Sequence, residues 1–263
     1  MTYLSPLIYW WLAMMLVMVG LWAHQLKHKD GGIADVGWAY GLGGAAIYFA
    51  FSASGDESRR LLLAVLAGVW GIRLGTYLLI DRVVRAKAED GRYQAMRKAF
   101  GDKAPIRFFI FFQGQALFIA IFAIPFVVVA MNPKASFVIW DFIAVGIWIF
   151  SNAFVWVADK QLANFRMDPA NKGEVCQIGL WRYSRHPNYF FEWLHWWSYV
   201  LLAFGAPYFW ASLIGPVVML VLLLKVTGIP YTELQALRSR GDKYRAYQNT
   251  TSPFFPWFPK ESV

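Results

Sequence analysis

The stretch Gly179-Leu180-Trp181-Arg182-Tyr183-Ser184-Arg185-His186-Pro187-Asn188-Tyr189-Phe190-Phe191-Glu192-Trp193 sets polar and cationic groups at the mouth of an apolar segment of membrane length. Pro187 limits where a helix can begin, so the residues before it form an approach and Glu192 is carried into the helix. Two arginines, a histidine, an asparagine and two tyrosines can meet phosphates, an amide and a ring system. Arg182 and Arg185 also suit topology signals, and Tyr183, Tyr189 and Trp193 an interfacial aromatic belt. Glu192 argues for more than a belt, because an acid in a membrane helix needs a partner or a polar cavity. The pattern points to a cofactor site at a membrane face.

The rest of the chain agrees with a membrane setting. Of its 263 residues 58% are hydrophobic and only 16% charged, which is too apolar for a soluble domain of this size and predicts one membrane-embedded domain over 1–263. The net charge of +9 is not gathered on a soluble, aromatic-interleaved module, so nucleic acid is not an expected partner. The single Cys176 excludes an intrachain disulfide and a CxxC metal site, and no metal is expected.

Apolar segments near 6–24, 33–53, 61–80, 107–131, 136–158, 189–205 and 208–227 predict an all-α protein with seven transmembrane helices. The first reads as an uncleaved helix, without a basic residue before it or a clear cleavage site. The 81–107 connection carries Arg82, Arg85, Lys87, Arg92, Arg97, Lys98, Lys103 and Arg107, and the 159–188 connection carries Lys160, Arg166, Lys172, Arg182 and Arg185. The loops near 54–60 and 132–135 hold only Arg59, Arg60 and Lys134. This bias predicts an outer N-terminus and a cytoplasmic C-terminus. Helical spacing continues from Tyr231 to Tyr247, and Pro253, Pro256 and Pro259 then impose an extended end.

Polar residues inside the apolar pattern mark further candidates. Asp35 opens the second segment, as a helix cap or as a paired membrane acid. Arg73 lies well inside the third segment and Lys225 near the inner end of the seventh, where snorkelling to the interface competes with a polar role. In Asp159-Lys160-Gln161-Leu162-Ala163-Asn164-Phe165-Arg166, a helix running past the interface would put Asp159 and Arg166 on nearly the same face, one suited to a ribose or amide and the other to a phosphate. A solvated, charged helix end fits the same residues.

These pieces, with Asp35-Val36-Gly37-Trp38, Trp70-Gly71-Ile72-Arg73-Leu74, Glu89-Asp90-Gly91-Arg92-Tyr93, Phe112-Gln113-Gly114 and Phe254-Phe255-Pro256-Trp257-Phe258-Pro259-Lys260, resemble the membrane steroid 5α-reductases and their bacterial DUF1295 relatives over most of the chain. The resemblance implies a seven-helix reductase, NADPH in a cytosol-facing cavity formed within roughly 159–263, and reduction of the C4–C5 double bond of a 3-oxo-Δ4-steroid or related enone lipid. By position, Asp159, Arg166, Arg182, Tyr183, Arg185, His186, Asn188, Tyr189 and Glu192 would line the cofactor, with Arg73, Lys225 and Glu233 as further candidates. Asp35 falls where family members place an acid that addresses the steroid carbonyl. Trp70 stands where the steroid enzymes place a tyrosine that shares this task. The implied location is a bacterial inner membrane, with membrane lipid and an apolar substrate as partners and no obligate protein partner.

Hydride delivery to an enone builds negative charge on the carbonyl oxygen, so a nearby acid or donor lowers the barrier. Asp35 suits that role only when protonated, the direction in which burial drives a carboxyl group. Tyr40, a turn and a half further along, and Tyr93 are possible partner donors. A second family fits part of the pattern. Membrane methyltransferases acting on isoprenylcysteine or phospholipid headgroups also carry a Gly-aromatic-Arg-x-x-Arg-His-Pro-x-Tyr segment, which in them binds S-adenosylmethionine. The Asn188 to Trp193 continuation, the Asp159 to Arg166 approach and Asp35 favour the reductase.

Overall fold

A computed structural model describes residues 4–86, 88–135 and 137–260, and every regular element among them is helical. Lys87, counted above among the loop cations, lies outside the described residues. The chain gathers into two compact units, Met1–Val138 with Leu202–Gly215 and Ile139–Leu201 with Pro216–Val263.

The first unit contains α1 (Leu4–His28), α2 (Ile33–Ser52), α3 (Glu57–Leu78), a π-helical turn (Leu79–Val84), α4 (Gly91–Phe100) and α5 (Ala104–Ala130). α2 and α3 approach most closely at Gly43 and Gly71. A Cβ on Gly71 would lie 2.5 Å from the Gly43 Cα, so only glycine permits this crossing. Trp38 and Trp70 pack edge to face beside Phe122, and Trp70 is fully buried, which makes it core where the family pattern has a tyrosine.

At one end of this unit Arg59 is buried and donates from Nη1 to the Leu202 carbonyl (3.0 Å) and from Nη2 to the Ala135 carbonyl (3.1 Å). Asp56 caps α3 by accepting from the Arg59 backbone N–H, while Arg60 donates to the Ala50 and Gly55 carbonyls. By sequence alone the two arginines count as loop charge. Here they close a helix junction, because carbonyls turned away from water require donors.

The second unit contains α6 (Ile139–Met167), α7 (Pro187–Leu202), α8 (Ile214–Val221), a π-helical turn (Leu222–Val226), α9 (Ile229–Arg240) and α10 (Asp242–Thr250). α6 does run past the apolar segment, as the Asp159 and Arg166 pairing requires. Phe150 and Phe154 of α6 pack on Phe191 of α7, and Trp193 Nε1 donates to the Pro216 carbonyl. The helical tail expected over Tyr231–Tyr247 is two helices, because Gly241 adopts a left-handed φ of 53° between them.

Among the described residues five helical stretches are long and apolar enough to cross a membrane: Leu4–His28, Glu57–Val84, Gly91–Ala130, Ile139–Met167 and Phe209–Arg240. The other two expected crossings correspond to α2, whose apolarity is diluted by four glycines, two tyrosines and Asp35, and to α7, whose 16 residues fall short of the roughly 20 a full span takes.

The junction around Arg59 gives a direct prediction. Arg59→Leu strands the Ala135 carbonyl at about 1–3 kcal/mol and leaves the Leu202 carbonyl only the longer bond from Asn132 Nδ2 (3.4 Å). The thermal midpoint of the detergent-solubilised protein should fall by several degrees, with Arg59→Lys in between. An unchanged midpoint in Arg59→Leu would show that water satisfies these carbonyls.

Candidate functional site

A cleft of about 440 Å³ opens within the second unit, inside the range of sites for organic ligands. α6 contributes Asp159 and Arg166 to its wall, and the turn into α7 contributes Arg185, His186, Asn188 and Tyr189. Their convergence depends on how the 179–187 approach is pinned to α6. Gly179 has φ of 55°, and a Cβ there would lie 2.3 Å from the Gln161 side chain, whose Oε1 accepts from the Leu180 N–H (2.9 Å). Trp181 Nε1 donates to the Ala158 carbonyl (2.9 Å).

The polar groups of the cleft are arranged in two ties. At one, Asn188 Nδ2 donates to Asp159 Oδ1 (3.0 Å) while Asn188 Oδ1 accepts from the Tyr189 N–H, joining α6 to the first turn of α7. At the other, Glu233 accepts from Arg185 Nε (2.6 Å) and Gln248 Nε2 (2.8 Å), with His186 Nε2 at 3.3 Å. Arg185 Nη1 also donates to the Gln248 and Thr251 carbonyls, and the His186 ring stacks on Tyr189 at 8°. Arg185 is thus largely committed to the wall it stands in. Glu233, expected among the cofactor contacts, holds that wall from behind and is not among the lining residues.

The opposite wall escaped the sequence reading. Thr232, Gln235, Ser239 and Arg240 recur at helical spacing along one face of α9, and Tyr244 and Tyr247 follow from α10. Helical spacing from Tyr231 to Tyr247 is visible in the sequence, but spacing alone does not say which side of the helix meets a cleft. Arg240 Nε donates to the Glu174 carbonyl (2.8 Å) and Lys243 pairs with the Glu174 carboxylate, closing the rim. Burial, with the nearby Glu233 charge adding to it, pushes the Tyr244 hydroxyl far above the ordinary tyrosine range. Burial does the same to Tyr247, which donates to the Trp181 carbonyl. Both hydroxyls stay neutral. Burial also raises the Cys176 thiol, which keeps it a thiol in the cleft wall.

Arg182 and Tyr183 are exposed and outside the cleft lining, and the Tyr183 ring packs on Phe258. Glu192 lies beside His195, with Nδ1 to Oε1 at 3.6 Å, and does not line the cleft. Lys225 sits exposed in the second π-helical turn, and Arg73 is exposed on α3 of the first unit; neither lines the cleft. The structure thus brings six of the expected residues together in the cleft and leaves these five outside its lining.

The first unit holds a separate polar cluster. Asp35 Oδ2 accepts from Arg92 Nη2 (2.9 Å) and from Arg82 Nη1, and Asp35 Oδ1 accepts from the Tyr93 hydroxyl (2.7 Å). Asp90 caps α4 through the Arg92 N–H; burial would raise its carboxyl, but the hydrogen bonds and charge of Arg92 outweigh this and hold it below the ordinary value. The motifs around Asp35 and Glu89–Tyr93, over fifty residues apart in sequence, therefore meet. The Asp35 carboxyl, expected as a neutral acid, is thus surrounded by two guanidinium groups and a phenol. Counted by their loop, Arg82 and Arg92 read as topology charge, and only the Glu89–Tyr93 motif singles out Arg92. Tyr40 stands apart, its hydroxyl 2.9 Å from Thr76 Oγ1, and lines an apolar groove of about 250 Å³ with Trp10, Met14, Leu21 and Gly37.

The family model described as a protein of unknown function, DUF1295, matches residues 21–251. The uncharacterized protein C594.04c of Schizosaccharomyces pombe (strain 972) is 25% identical over 270 residues, covering 90% of this chain and 75% of that protein. No solved structure matches. With both polar centres inside the matched region, the chain belongs to the DUF1295 family.

Proposed function

We propose that this protein is an NADPH-dependent membrane reductase acting on the C4–C5 double bond of a 3-oxo-Δ4-steroid or a related enone lipid, a 3-oxo-5α-steroid 4-dehydrogenase in type. The observation that carries the reading is the convergence of Asp159, Arg166, Arg185, His186, Asn188 and Tyr189 on one cleft together with the aromatic and amide groups of α9 and α10. These donor types fit a phosphorylated dinucleotide: cations for phosphates, the Asp159 and Asn188 pair for an amide or ribose, and ring faces for its bases. NADPH, when bound, would supply the hydride. The exposed Arg166 and the rim residue Arg240 are the cations assigned to phosphate, and Arg185 holds the wall.

In this proposal Asp35 is a positioning residue. Its carboxylate gathers Arg82, Arg92 and Tyr93, and these donors, in place of a protonated Asp35, polarise the substrate carbonyl. The apolar groove beside Tyr40 suits a substrate drawn from lipid. The proposal keeps seven crossings, with α2 and α7 as the short or diluted ones, in a bacterial inner membrane with the N-terminus outside and the cleft and C-terminus in the cytosol.

Three outcomes check these assignments. Single cysteines at Ala88 and Asp242 in a Cys176→Ser background should resist an impermeant thiol reagent in intact cells and react after lysis; labelling from outside reverses the topology. Titration of the detergent-solubilised protein should give saturable NADPH binding. Arg166→Ala should weaken it by about one to two powers of ten, the equivalent of a charge-assisted contact, and affect NADH much less if the contact is to the 2′-phosphate. Saturable S-adenosylmethionine binding with no binding of either nicotinamide nucleotide would replace the reductase reading with the methyltransferase one. Asp35→Asn and Asp35→Leu should both abolish turnover of a Δ4-3-ketosteroid while leaving NADPH affinity nearly intact. Full activity in Asp35→Asn would show that the charge on Asp35 is not needed.

A further inference from the structure

We infer that the C-terminal strap, residues 252–260, is an interfacial anchor that seats its aromatic side chains in the headgroup boundary of an anionic bilayer. The inference rests on the membrane setting of α6 and is independent of the reaction the cleft carries out.

The strap has an ordered backbone and outward-facing rings. Ser252 O accepts from the Arg185 N–H (2.9 Å), Phe254 O accepts from Ser184 Oγ (2.8 Å), the Trp257 N–H donates to Tyr183 O (2.9 Å) and the Lys260 N–H donates to Thr250 O (2.8 Å). Phe254 is buried, yet Phe255, Trp257 and Phe258 are 53%, 72% and 77% exposed. Three large rings held in fixed places form an apolar surface that the other described residues leave largely open.

Contacts within the second unit set the depth of this surface. The apolar run of α6 ends at Asp159 and Lys160, where Lys160 Nζ sits 4.6 Å from the Trp156 ring, as a cation at a membrane boundary does over an interfacial tryptophan. Phe154 lies five residues before Asp159, about 7 Å deeper at 1.5 Å per residue. Its ring meets Phe191 of α7 at 4.9 Å. The neighbouring Phe190 and Trp193 rings both meet Phe255 at 5.8 Å. Phe255 is therefore carried to the hydrocarbon side of the boundary, and Trp257 is tied to Tyr183 just ahead of α7.

Charge identifies the surface it meets. Arg182, next to Tyr183, and Lys260 at the end of the strap are exposed on a chain with net charge +9. Aromatic rings flanked by cations are the composition that settles at an interface bearing anionic headgroups.

The test is a spin label on Phe258→Cys, and separately on Trp257→Cys, in a Cys176→Ser background reconstituted into vesicles of phosphatidylcholine and phosphatidylglycerol. Asp242→Cys serves as the reference, since the Asp242 side chain is 98% exposed at the start of α10. At both strap positions dissolved oxygen should relax the label more than a water-soluble nickel chelate does, with the opposite order at position 242. A strap label as open to nickel as the reference, or shielded from both reagents as a bound protein would shield it, overturns the anchor. Vesicles of phosphatidylcholine alone should shift the strap labels toward nickel access. No shift overturns the assignment of Arg182 and Lys260 to anionic headgroups.

Discussion

An arginine shut away from water must find acceptors, and Arg185 finds Glu233, Gln248 O and Thr251 O. This requirement organises the second unit. The guanidinium belongs to the turn that opens α7, Glu233 to α9 and the two carbonyls to the end of α10, so a single charge collects three separately folded pieces around one point. Removing either partner of such a pair leaves the other charge buried, which costs more than the pair itself contributes. The cleft exists because this knot bends α9 and α10 back toward the polar end of α6.

The first unit solves the same problem with a carboxylate at the centre. Asp35 sits in the first turn of α2, and its acceptor oxygens take donors from the π-helical turn after α3 and from α4. Each unit therefore carries a charge, withdrawn from water, whose neutralisation fixes several segments at once. The difference lies in the surroundings. Asp35 gathers groups that donate, whereas Arg185 and Glu233 bond each other, with further bonds from Arg185 to backbone and to Glu233 from the Gln248 side chain.

Close helix approach supports both centres. The contact of Gly43 with Gly71 brings α2 against α3, so the turn after α3 delivers Arg82 to Asp35. In the second unit the ring contacts of Phe150 and Phe154 with Phe191 hold α7 on α6, which keeps Asn188 within reach of Asp159. Apolar packing sets the backbone positions, and the short polar side chains then decide which segments meet.

The amino-acid sequence alone determined the helical, membrane-directed class of this protein and the core of its cleft, because apolar length and the residues around Pro187 are local signals. Asp159, Arg166, Arg185, His186, Asn188 and Tyr189 were all legible in two short stretches. Tertiary structure decided the rest. Arg82 and Arg92 as partners of Asp35, Arg59 as a buried clasp, and Glu233 as a support behind the wall depend on segments tens of residues apart, and a charged residue counted by its loop reads only as topology. The α9 face was periodic but ambiguous, since a polar stripe turned to water and one turned to a cleft have the same spacing. Which of the two it is depends on where the chain returns, and here the Gly241 break and the acceptors demanded by Arg185 return it onto the end of α6.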